Sequence, residues 1–541
     1  MNFTGSLPTS PPRTTRLELL TWLFTLSHEI FLLDRITSVS HSANLLDPPL
    51  FFGDPTLLTV DISIVGNGIL GLMTAYELTN RNPNLKVAVI GPSNREGGAS
   101  EASGAMLGCF GEITDQTFVN AQAEKRFMMA YDAHKRWPGV VEKLNAQVPK
   151  GHQQEINQGT FVVLNPCSGQ IESDSFRELL AALERFDEPY EELDPRTIEG
   201  FNPNQNLRPL RTIVMPNEGS LDSRRFMSIV KALLEQRGVR FIEQKAMGFC
   251  QDGSGFEVEL EDSETVQSAK CLLAAGAFTQ HLLDAHPDLA ERMPRVLPGV
   301  GFSTSLEQVP GNPINKVIRT PNRAGACGLH VVPQSDGSLY LGASNDVYLQ
   351  PQTLPMTGIV HFLLECGIEQ INPALYRSAL LKTRTGNRPV TTDGFPLIGE
   401  TSWDGLFILT GTYRDGFHKS PVLAQMIAEE ILGEEATWQH DYQPERSLIP
   451  TTNKEEAIKV YLDHLIAAYY EHGWRAPNIS SQDAMREVAE EKIRAFFDEH
   501  DLDFGISAEI LLMHELSSNP DVSLPMIKKA FHPQGRMAST S

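Results

Sequence analysis

The spacing of apolar residues changes twice along the chain and divides it into three stretches. Residues 1–57 combine short apolar runs with Pro-rich ends, and they predict an appended, partly helical extension. From residue 58, strand runs, glycine turns and helical patterns alternate, which is typical of an α/β body with a mainly parallel sheet. Residues 450–541 predict a small C-terminal helical module, with one apolar helical face near its start. That face consists of Ile458, Leu462, Leu465, Ile466 and Tyr469.

The sharpest local pattern is a glycine turn between a buried strand and a helix, in DISIVGNGILGLMTAYEL. Gly66 permits a tight turn, Gly68 lets backbone amides approach a pyrophosphate, and Gly71 lets the helix pack closely on the strand. Ile69 and Leu70 begin the helix, whose N-terminus favours phosphate charge. A second strand, KVAVI, follows at the expected distance, so this stretch predicts a dinucleotide site.

The position that should hold the adenosine ribose is unusual. An acidic residue is expected about twenty positions after the turn, but Gly91 stands there. Ser93, Asn94 and Glu96 are alternative ribose ligands, whereas Arg95 would suit the 2′-phosphate of NADP. The motif alone therefore does not name the cofactor.

Charge and cysteine content narrow the class of partner. The formal net charge of −23 argues against nucleic acid or an anionic membrane as the main partner. The six cysteines lack paired or metal-like spacing, so we predict no disulfide framework, no metal site and a cytoplasmic location. No apolar run reaches the about 18 residues of a membrane span. Residues 17–26 loosely resemble a secretory leader, but Glu18 favours an amphipathic helix packed on the main body.

Further segments after the glycine turn carry a family resemblance. They are GGASEASGAML (97–107), EGSLDSRRFMSIVKALLEQRGVRF (218–241), KCLLAAGAFTQHLL (270–283), NRPVTTDGFPLIGE (387–400) and LFILTGTYRDGFHKSP (406–421). In this order they resemble the FAD-dependent family of glycine oxidase, D-amino-acid oxidase and sarcosine oxidase. The resemblance covers about residues 58–435 and is closest to the glycine-oxidase-like members.

The resemblance implies an α/β fold with two intertwined domains. A discontinuous Rossmann-like domain would bind FAD, and an inserted antiparallel-sheet domain would hold the substrate. By spacing, the FAD-binding domain is expected over 58–110, 210–300 and 385–445, and the substrate domain over 111–209 and 301–384.

The resemblance also implies which residues hold FAD. We expect them in the glycine turn, the small-residue loop after the second strand, the Ala-Ala-Gly strand end and the turn after LFILT. These residues are Gly66, Gly68, Ile69, Leu70, Gly71, Ser100, Ser103, Gly104, Ala105, Met106, Ala275, Gly276, Arg414, Asp415, Gly416 and Phe417. Sarcosine-oxidase-like members attach their flavin to a cysteine near the position of residues 393–399. This chain has no cysteine after Cys366, so FAD is expected to be non-covalent.

Arg388 matches the arginine that clamps the substrate carboxylate in this family. A planar guanidinium suits a carboxylate because it donates two parallel hydrogen bonds; a structural salt bridge is the alternative. His330 stands where glycine oxidase has a pocket tyrosine, and Asn345 occupies another pocket position. These two residues predict a polar or additionally charged substrate, unless His330 is a structural core histidine. Tyr413 is also expected to bind the substrate.

Arg414 matches the arginine of the glycine-oxidase turn beside the flavin, with Tyr413 and Asp415 replacing phenylalanine and asparagine. Sarcosine-oxidase-like members keep a lysine that activates O2 after an equivalent Gly-Phe. That position falls on His418, and Lys419 follows it. We therefore expect Arg388, Arg414, His418 and Lys419 to be the catalytic residues.

The predicted reaction is oxidation of the C–N bond of a carboxylate-bearing amine or amino acid. Hydride would pass to flavin N5, and O2 would be reduced to H2O2. One alternative is a dehydrogenase of the same fold that passes electrons to a quinone or carrier, starting from a 2-hydroxy acid. Another is a flavoprotein body that serves the helical module as a docking platform. A homo-oligomer is left open.

Overall fold

The described part of the chain contains two sheets, the helices that lie between their strands in the chain, and a group of C-terminal helices. The computed structural model describes residues 58–531 except 166–168, 254, 324–327, 472–476, 516 and 518–519. These residues all belong to one unit, Pro55–Ser541. The predicted N-terminal extension with its amphipathic helix, and residues 532–541 of the predicted helical module, lie outside the described residues.

The strands and the helices are numbered separately, each in chain order. The strands are β1 (Leu58–Val65), β2 (Val87–Ile90), β3 (Met106–Leu107), β4 (Asn157–Leu164), β5 (Glu191–Glu192), β6 (Arg211–Ser220), β7 (Arg240–Ile242), β8 (Ala246–Asp252), β9 (Gly255–Leu260), β10 (Thr265–Leu273), β11 (Val296–Glu307), β12 (Val317–Arg319), β13 (His330–Pro333), β14 (Ser338–Gly342), β15 (Asp346–Val347), β16 (Leu380–Thr391), β17 (Leu397–Glu400) and β18 (Leu406–Thr410). The helices are α1 (Ile69–Arg81), α2 (Ala99–Ala102), α3 (Ala121–Asn145), α4 (Gln170–Arg185), α5 (Ser223–Gln236), α6 (Thr279–Asp284), α7 (Pro287–Ala290), α8 (Thr357–Gln370), α9 (Gly416–Leu432), α10 (Lys454–Glu471), α11 (Ile479–Glu499), α12 (Ala508–Glu515) and α13 (Pro520–Phe531).

The first sheet has the strand order β17-β18-β10-β1-β2-β7; β9 also pairs with β10, and β8 pairs with β9. Its central pairs, β10–β18, β1–β10, β1–β2 and β2–β7, are parallel. Along β10, Leu272 enters one apolar cluster while Cys271 and Leu273 enter another. Alternate residues thus bury both faces of the sheet, as parallel sheets require. This arrangement agrees with the predicted Rossmann-like domain.

The second sheet has the order β15-β11-β14-β13-β12-β4-β6-β3, and β16 pairs with β11. Most pairs are antiparallel; β12 and β4 run in parallel. The register of β11 and β16 places Arg388 opposite Gly299. The long antiparallel pairing of β11 and β16 therefore fixes the position of Arg388 along the sheet.

The helices α10 to α13, hereafter the helical module, pack around one apolar core. Ile458, Leu462, Leu465 and Ile466 are buried, as predicted, while Tyr469 is 36% exposed at the edge of that face. The sequence pattern did not predict α13, because Pro525 lies inside it and proline normally interrupts a helix.

The predicted domain bounds stay a prediction. Strand pairing adds one detail: β6 lies in the range predicted for the FAD-binding domain, but it pairs with β4 and β3 in the second sheet. In the part of the chain that the structure describes, no helix is long and apolar enough to cross a membrane.

Candidate active site

The carboxyl ends of the parallel strands lie at one edge of the first sheet, hereafter called the cleft. β1 ends before Gly66, and β10 ends before Ala274 and Ala275. A Cβ added at Gly66, whose φ is +124°, would lie 2.3 Å from the carbonyl oxygen of Ala274. Because ligands of open parallel sheets bind at this edge, the fold puts the predicted glycine turn in the expected place.

The N-terminus of α1 fits a phosphate group. A Cβ at Gly71 would lie 1.9 Å from the carbonyl oxygen of Gly66, so glycine permits the close packing of helix and strand. Gly68 is the N-cap and provides no side-chain cap, and the first turn contains no acidic residue. The positive end of the helix dipole therefore faces the cleft without a competing carboxylate.

The small-residue loop around α2 joins this helix start. Ile69 N donates to Ser100 Oγ at 3.1 Å, and Ser103 Oγ donates to the Ser100 carbonyl at 3.0 Å. Leu221 N donates to the carbonyl of Ala105, whose φ is +47°. A Cβ at Gly104 would lie 3.0 Å from the Tyr340 ring. The loop, with Met106 in β3, thus runs between the two sheets.

The end of β10 is tied to the end of β18. Thr410 Oγ1 donates to the carbonyl of Gly276 at 2.9 Å. Gly276 has φ +60°, and a Cβ there would meet nothing within 4 Å, so backbone conformation rather than space favours glycine. Ala275, Gly276 and the α9 turn therefore lie on the same side of the sheet as the glycine turn.

The contacts of Asn67 explain why Gly91 stands where an acidic ribose-binding residue is expected. Its Nδ2 donates to the carbonyls of Gly91 and Pro92, each at 2.9 Å. A Cβ at Gly91 would lie 2.7 Å from Asn67 Cγ, so an acidic side chain would displace this amide. Arg95 Nε donates to the Asn67 carbonyl at 2.9 Å, and Asn94 Oδ1 accepts from the amide of Glu96.

Arg388, Asn345 and Tyr413 form a chain of hydrogen bonds on the second sheet. Arg388 Nη1 donates to Asn345 Oδ1 and to the Ser344 carbonyl, both at 3.0 Å. Asn345 Nδ2 donates to the Tyr413 hydroxyl at 2.7 Å. A Cβ at Gly301 would lie 2.1 Å from Arg388 Nη1, so the guanidinium lies flat over this glycine. Three of the predicted substrate residues therefore meet at one place.

The fourth, His330, lies on β13 and is 3% exposed. Its Nδ1 is 2.9 Å from the Gly328 carbonyl, so Nδ1 carries the proton and Nε2 the lone pair. Its ring stacks on Tyr340 with centroids 5.6 Å apart. Burial lowers the pKa of His330 to about 4, so the ring is neutral at pH 7. These contacts are those of a structural histidine, and a role in substrate binding stays a prediction.

The charged residues of the turn before α9 and of its first helical turn make two separate sets of contacts. Arg414 lies over the Tyr413 ring at 5.2 Å, whereas Lys419 Nζ lies 2.7 Å from Asp415 Oδ2. Burial alone would raise the pKa of Asp415, but the charge and hydrogen bond of Lys419, together with the charges of Arg414 and Arg126, outweigh burial and lower it to about 2. Lys419 also lines a small cavity with Arg126 and Thr412.

His418 and Phe417 point into the protein interior instead. His418 Nε2 lies 2.8 Å from the Ala130 carbonyl of α3, and burial lowers the pKa of His418 to about 4. The Phe417 ring stacks on Trp137 with centroids 5.9 Å apart. The predicted catalytic role of His418 is untested, but its ring packs against α3 while Lys419 lines the cavity.

Sequence reasoning missed two glutamates: Glu218, which is buried, and Glu112, which is partly exposed and lies beside Arg414. Glu112 Oε1 lies 2.6 Å from Arg319 Nη1, and Glu112 Oε2 lies 3.9 Å from Arg414 Nη1. Burial would raise the pKa of Glu112, but these arginines outweigh burial and lower it. Glu218 Oε1 accepts from the amide of Phe110 at 2.7 Å. The available signal was a glutamate beside glycine in each of two apolar segments, LGCFGE and MPNEGS.

The pH dependence of stability should report on Glu218. Burial raises the pKa of Glu218 from 4.5 to about 7. Between these values the folded protein keeps a proton that the unfolded chain releases, so stability falls as pH rises. Glu218→Gln should remove this slope and gain about 3 kcal/mol relative to wild type between pH 5 and 8. Thermal melts at both pH values measure this, with the exposed Glu192→Gln as control; a constant difference in Tm would contradict it.

The fold and the cleft define a dinucleotide-binding flavoprotein with a second, antiparallel domain. The chain belongs to the FAD dependent oxidoreductase family, whose sequence model matches residues 61–430. This confirms the predicted family and the predicted cofactor, FAD.

Relatives of known function are distant. The chain is 25% identical over 407 residues to the bifunctional protein ThiO/ThiG of Synechocystis sp., covering 73% of this chain and 55% of that protein. It is 22% identical over 381 residues to glycine oxidase of Geobacillus kaustophilus, covering 69% and 92%. The chain thus spans about half the length of the bifunctional relative.

The fold is also found among solved structures. The crystal structure of glycine oxidase from Geobacillus kaustophilus aligns with a TM-score of 0.61 and 20% sequence identity, covering 72% of this chain and 100% of that chain. This alignment confirms the predicted fold class.

Proposed function

We propose that the protein oxidises the C–N bond of a carboxylate-bearing amine or amino acid, with O2 as electron acceptor. The observation that supports this most is the Arg388–Asn345–Tyr413 chain, because it fixes one guanidinium where β16 approaches the FAD cleft. Glycine oxidase among the relatives supports the same substrate class. We retain non-covalent FAD and a cytoplasmic location as parts of the proposal.

Arg388 would bind the substrate carboxylate and orient the Cα–H bond. Asn345 Oδ1 holds Nη1 of this guanidinium, which fixes the plane in which a carboxylate can pair with it. Bound FAD would supply the hydride acceptor for the Cα–H bond that Arg388 orients, and the amine lone pair of the substrate would form the C=N bond of an imine that water hydrolyses. The substrate amine must therefore be neutral.

Nearby charges would support this step. Arg414 would supply positive charge beside the turn, whereas the N-terminus of α9 begins at the ionised Asp415. A fixed charge such as that of Arg414 stabilises developing negative charge. Neutral His330 offers a lone pair at Nε2 rather than a strong base. Alanine at both His330 and Asn345 should lower kcat/KM for every carboxylate substrate, because Asn345 also holds Arg388, and most for polar substrates; unchanged kcat/KM for every substrate would contradict a polar pocket.

The decisive experiment uses the purified full-length holoprotein. Amino acids and amines are mixed with it without air, and flavin absorbance is followed before air is admitted and H2O2 measured. Bleaching by a carboxylate-bearing amine, followed by H2O2 release, is expected. Bleaching without H2O2 would make the protein a dehydrogenase, and absence of FAD after denaturation would overturn the proposal.

Lys419 and His418 are proposed to speed reoxidation by O2. In the double variant His418→Met/Lys419→Met, the reoxidation rate constant should fall about tenfold, with a smaller change in anaerobic reduction. The cation that stabilises negative charge is Lys419, since His418 is neutral at pH 7. Since Lys419 pairs with Asp415, the variant Asp415→Asn/Lys419→Met controls for the unpaired carboxylate. Equal slowing of reduction and reoxidation in stopped-flow measurements would contradict this role.

A further inference from the structure

The helical module packs directly against the strands that carry the substrate residues. Its apolar core is continuous with Leu297 of β11, Val347 of β15 and Val390 of β16, and Tyr413 packs against the same core. The module side of this core includes Ile458, Leu462, Leu465, Ile510, Leu511 and Met513. The family match ends at residue 430, so the module lies outside it.

The register brings this core next to Arg388. Val390 pairs with Leu297 and follows Arg388 by two residues on the same strand face. A Cβ at Gly299, opposite Arg388, would lie 2.8 Å from Val390 Cγ2, 2.9 Å from Asn345 Oδ1 and 3.4 Å from Tyr413 Cε2. The module's core and the hydrogen-bonded chain therefore meet over one glycine.

The module also supports Asn345 from the other side. Helix α12 packs against β15, whose residues Asp346 and Val347 directly follow Asn345. Val347 is 7% exposed and belongs to the module's core. The position of the Asn345 side chain is therefore set by a strand that the module holds.

Polar contacts fix the module on the body. Before α10, Ile449 N donates to Asp393 Oδ2 at 3.1 Å, and Arg446 Nη2 lies 3.0 Å from the same oxygen. At the far end, Lys529 Nζ lies 2.7 Å from Glu291 Oε1. Burial lowers the pKa of His464 on α10, and the charge of Arg414 acts in the same direction, which agrees with α10 lying near the cleft.

We propose that the helical module positions the residues of the substrate site. Its core holds Val347 and Tyr413, and through them Asn345, so that Arg388 keeps the orientation in which it binds a carboxylate. Val347 is thus a positioning residue. This inference rests on the proposed function, because it assumes that Arg388 binds the substrate carboxylate.

The test compares two valine-to-alanine variants of the full-length holoprotein. Val347→Ala removes support for Asn345, whereas Val163→Ala removes the same atoms from a buried position of β4 in another apolar cluster. Benzoate is titrated as an unreactive carboxylate with flavin absorbance as the signal. Val347→Ala should raise the Kd of benzoate and the KM of the amine about tenfold with little change in kcat. Val163→Ala should change neither the Kd of benzoate nor the KM of the amine. Val347→Ile keeps a branched apolar side chain, so both constants should stay at their wild-type values.

Arg388→Ala separates failure of this inference from failure of the proposed function. If Arg388→Ala abolishes benzoate binding while Val347→Ala and Val163→Ala behave alike, the positioning role is wrong and the proposed function stands. If Arg388→Ala binds benzoate as wild type does, the proposed function itself fails. FAD content and Tm are measured for each variant; a selective loss of affinity in Val347→Ala at a Tm matching Val163→Ala supports the proposal.

Discussion

Replacing Arg388 by alanine should lower kcat/KM for a carboxylate-bearing amine by about a thousandfold, equivalent to about 4 kcal/mol. A paired, charge-assisted contact in a partly desolvated site has this magnitude, and its loss also frees the substrate to rotate. Most of the effect should appear in KM, with a smaller fall in kcat from misorientation of the Cα–H bond. Steady-state kinetics with the substrate identified by anaerobic bleaching measures both.

Arg384→Ala is the matched control for this variant. Arg384 lies on the same strand, four residues before Arg388, and its Nη1 donates to Ser305 Oγ at 2.6 Å. We expect its kcat/KM to stay within about threefold of wild type, since it leaves the Asn345 contact intact. Equal losses in the two variants, with FAD content unchanged, would show that Arg388 has no special place in the reaction.

Replacing Gly71 by alanine should abolish FAD binding and destabilise the protein by about 3 kcal/mol or more. The new Cβ would lie 1.9 Å from the Gly66 carbonyl oxygen, which is backbone and cannot rotate away. Helix α1 would have to move off β1, and its N-terminus would move with it. FAD content after purification and Tm by thermal melt measure the two effects.

Gly139→Ala provides the control, because Gly139 also lies inside a helix, α3, and a Cβ there would meet nothing within 4 Å. Alanine is the better helix former by up to about 1 kcal/mol, so Tm should stay the same or rise. A Gly71→Ala protein that keeps FAD and the wild-type Tm would contradict the packing role assigned to this glycine.

The glycine turn and the module helices could be predicted because their signals are local. The spacing of Gly66, Gly68 and Gly71 between a strand and a helix is itself the signal. Of the three, only Gly71 approaches backbone nearby in the chain, at Gly66. The alternating apolar runs likewise predicted a parallel sheet, which the structure contains. Helix α13 escaped prediction because Pro525 breaks the local pattern.

The buried charge network could not be predicted, because its members come from distant segments. Glu112, Glu218 and Arg319 belong to three separate elements, and nothing local in any of them identifies a partner. The Asn67–Gly91 contact has the same origin: the sequence shows that an acid is missing but not which side chain takes its space. Periodicity predicted an apolar face on α10, yet it does not say which surface that face covers.

The pairing of β10 with β18 has a consequence for how the chain folds. Cys271 lies beside Leu406 in the central sheet, although 135 positions separate them. During synthesis, β18 must therefore leave the ribosome before it can pair with β10 and complete the centre of the first sheet. Until then residues 271–273 of β10 lack the partner that β18 provides, since β9 pairs only with residues 265–268, and unpaired strand edges aggregate readily. Late closure of so distant a pair also slows folding, which makes the nascent chain a natural client for chaperones.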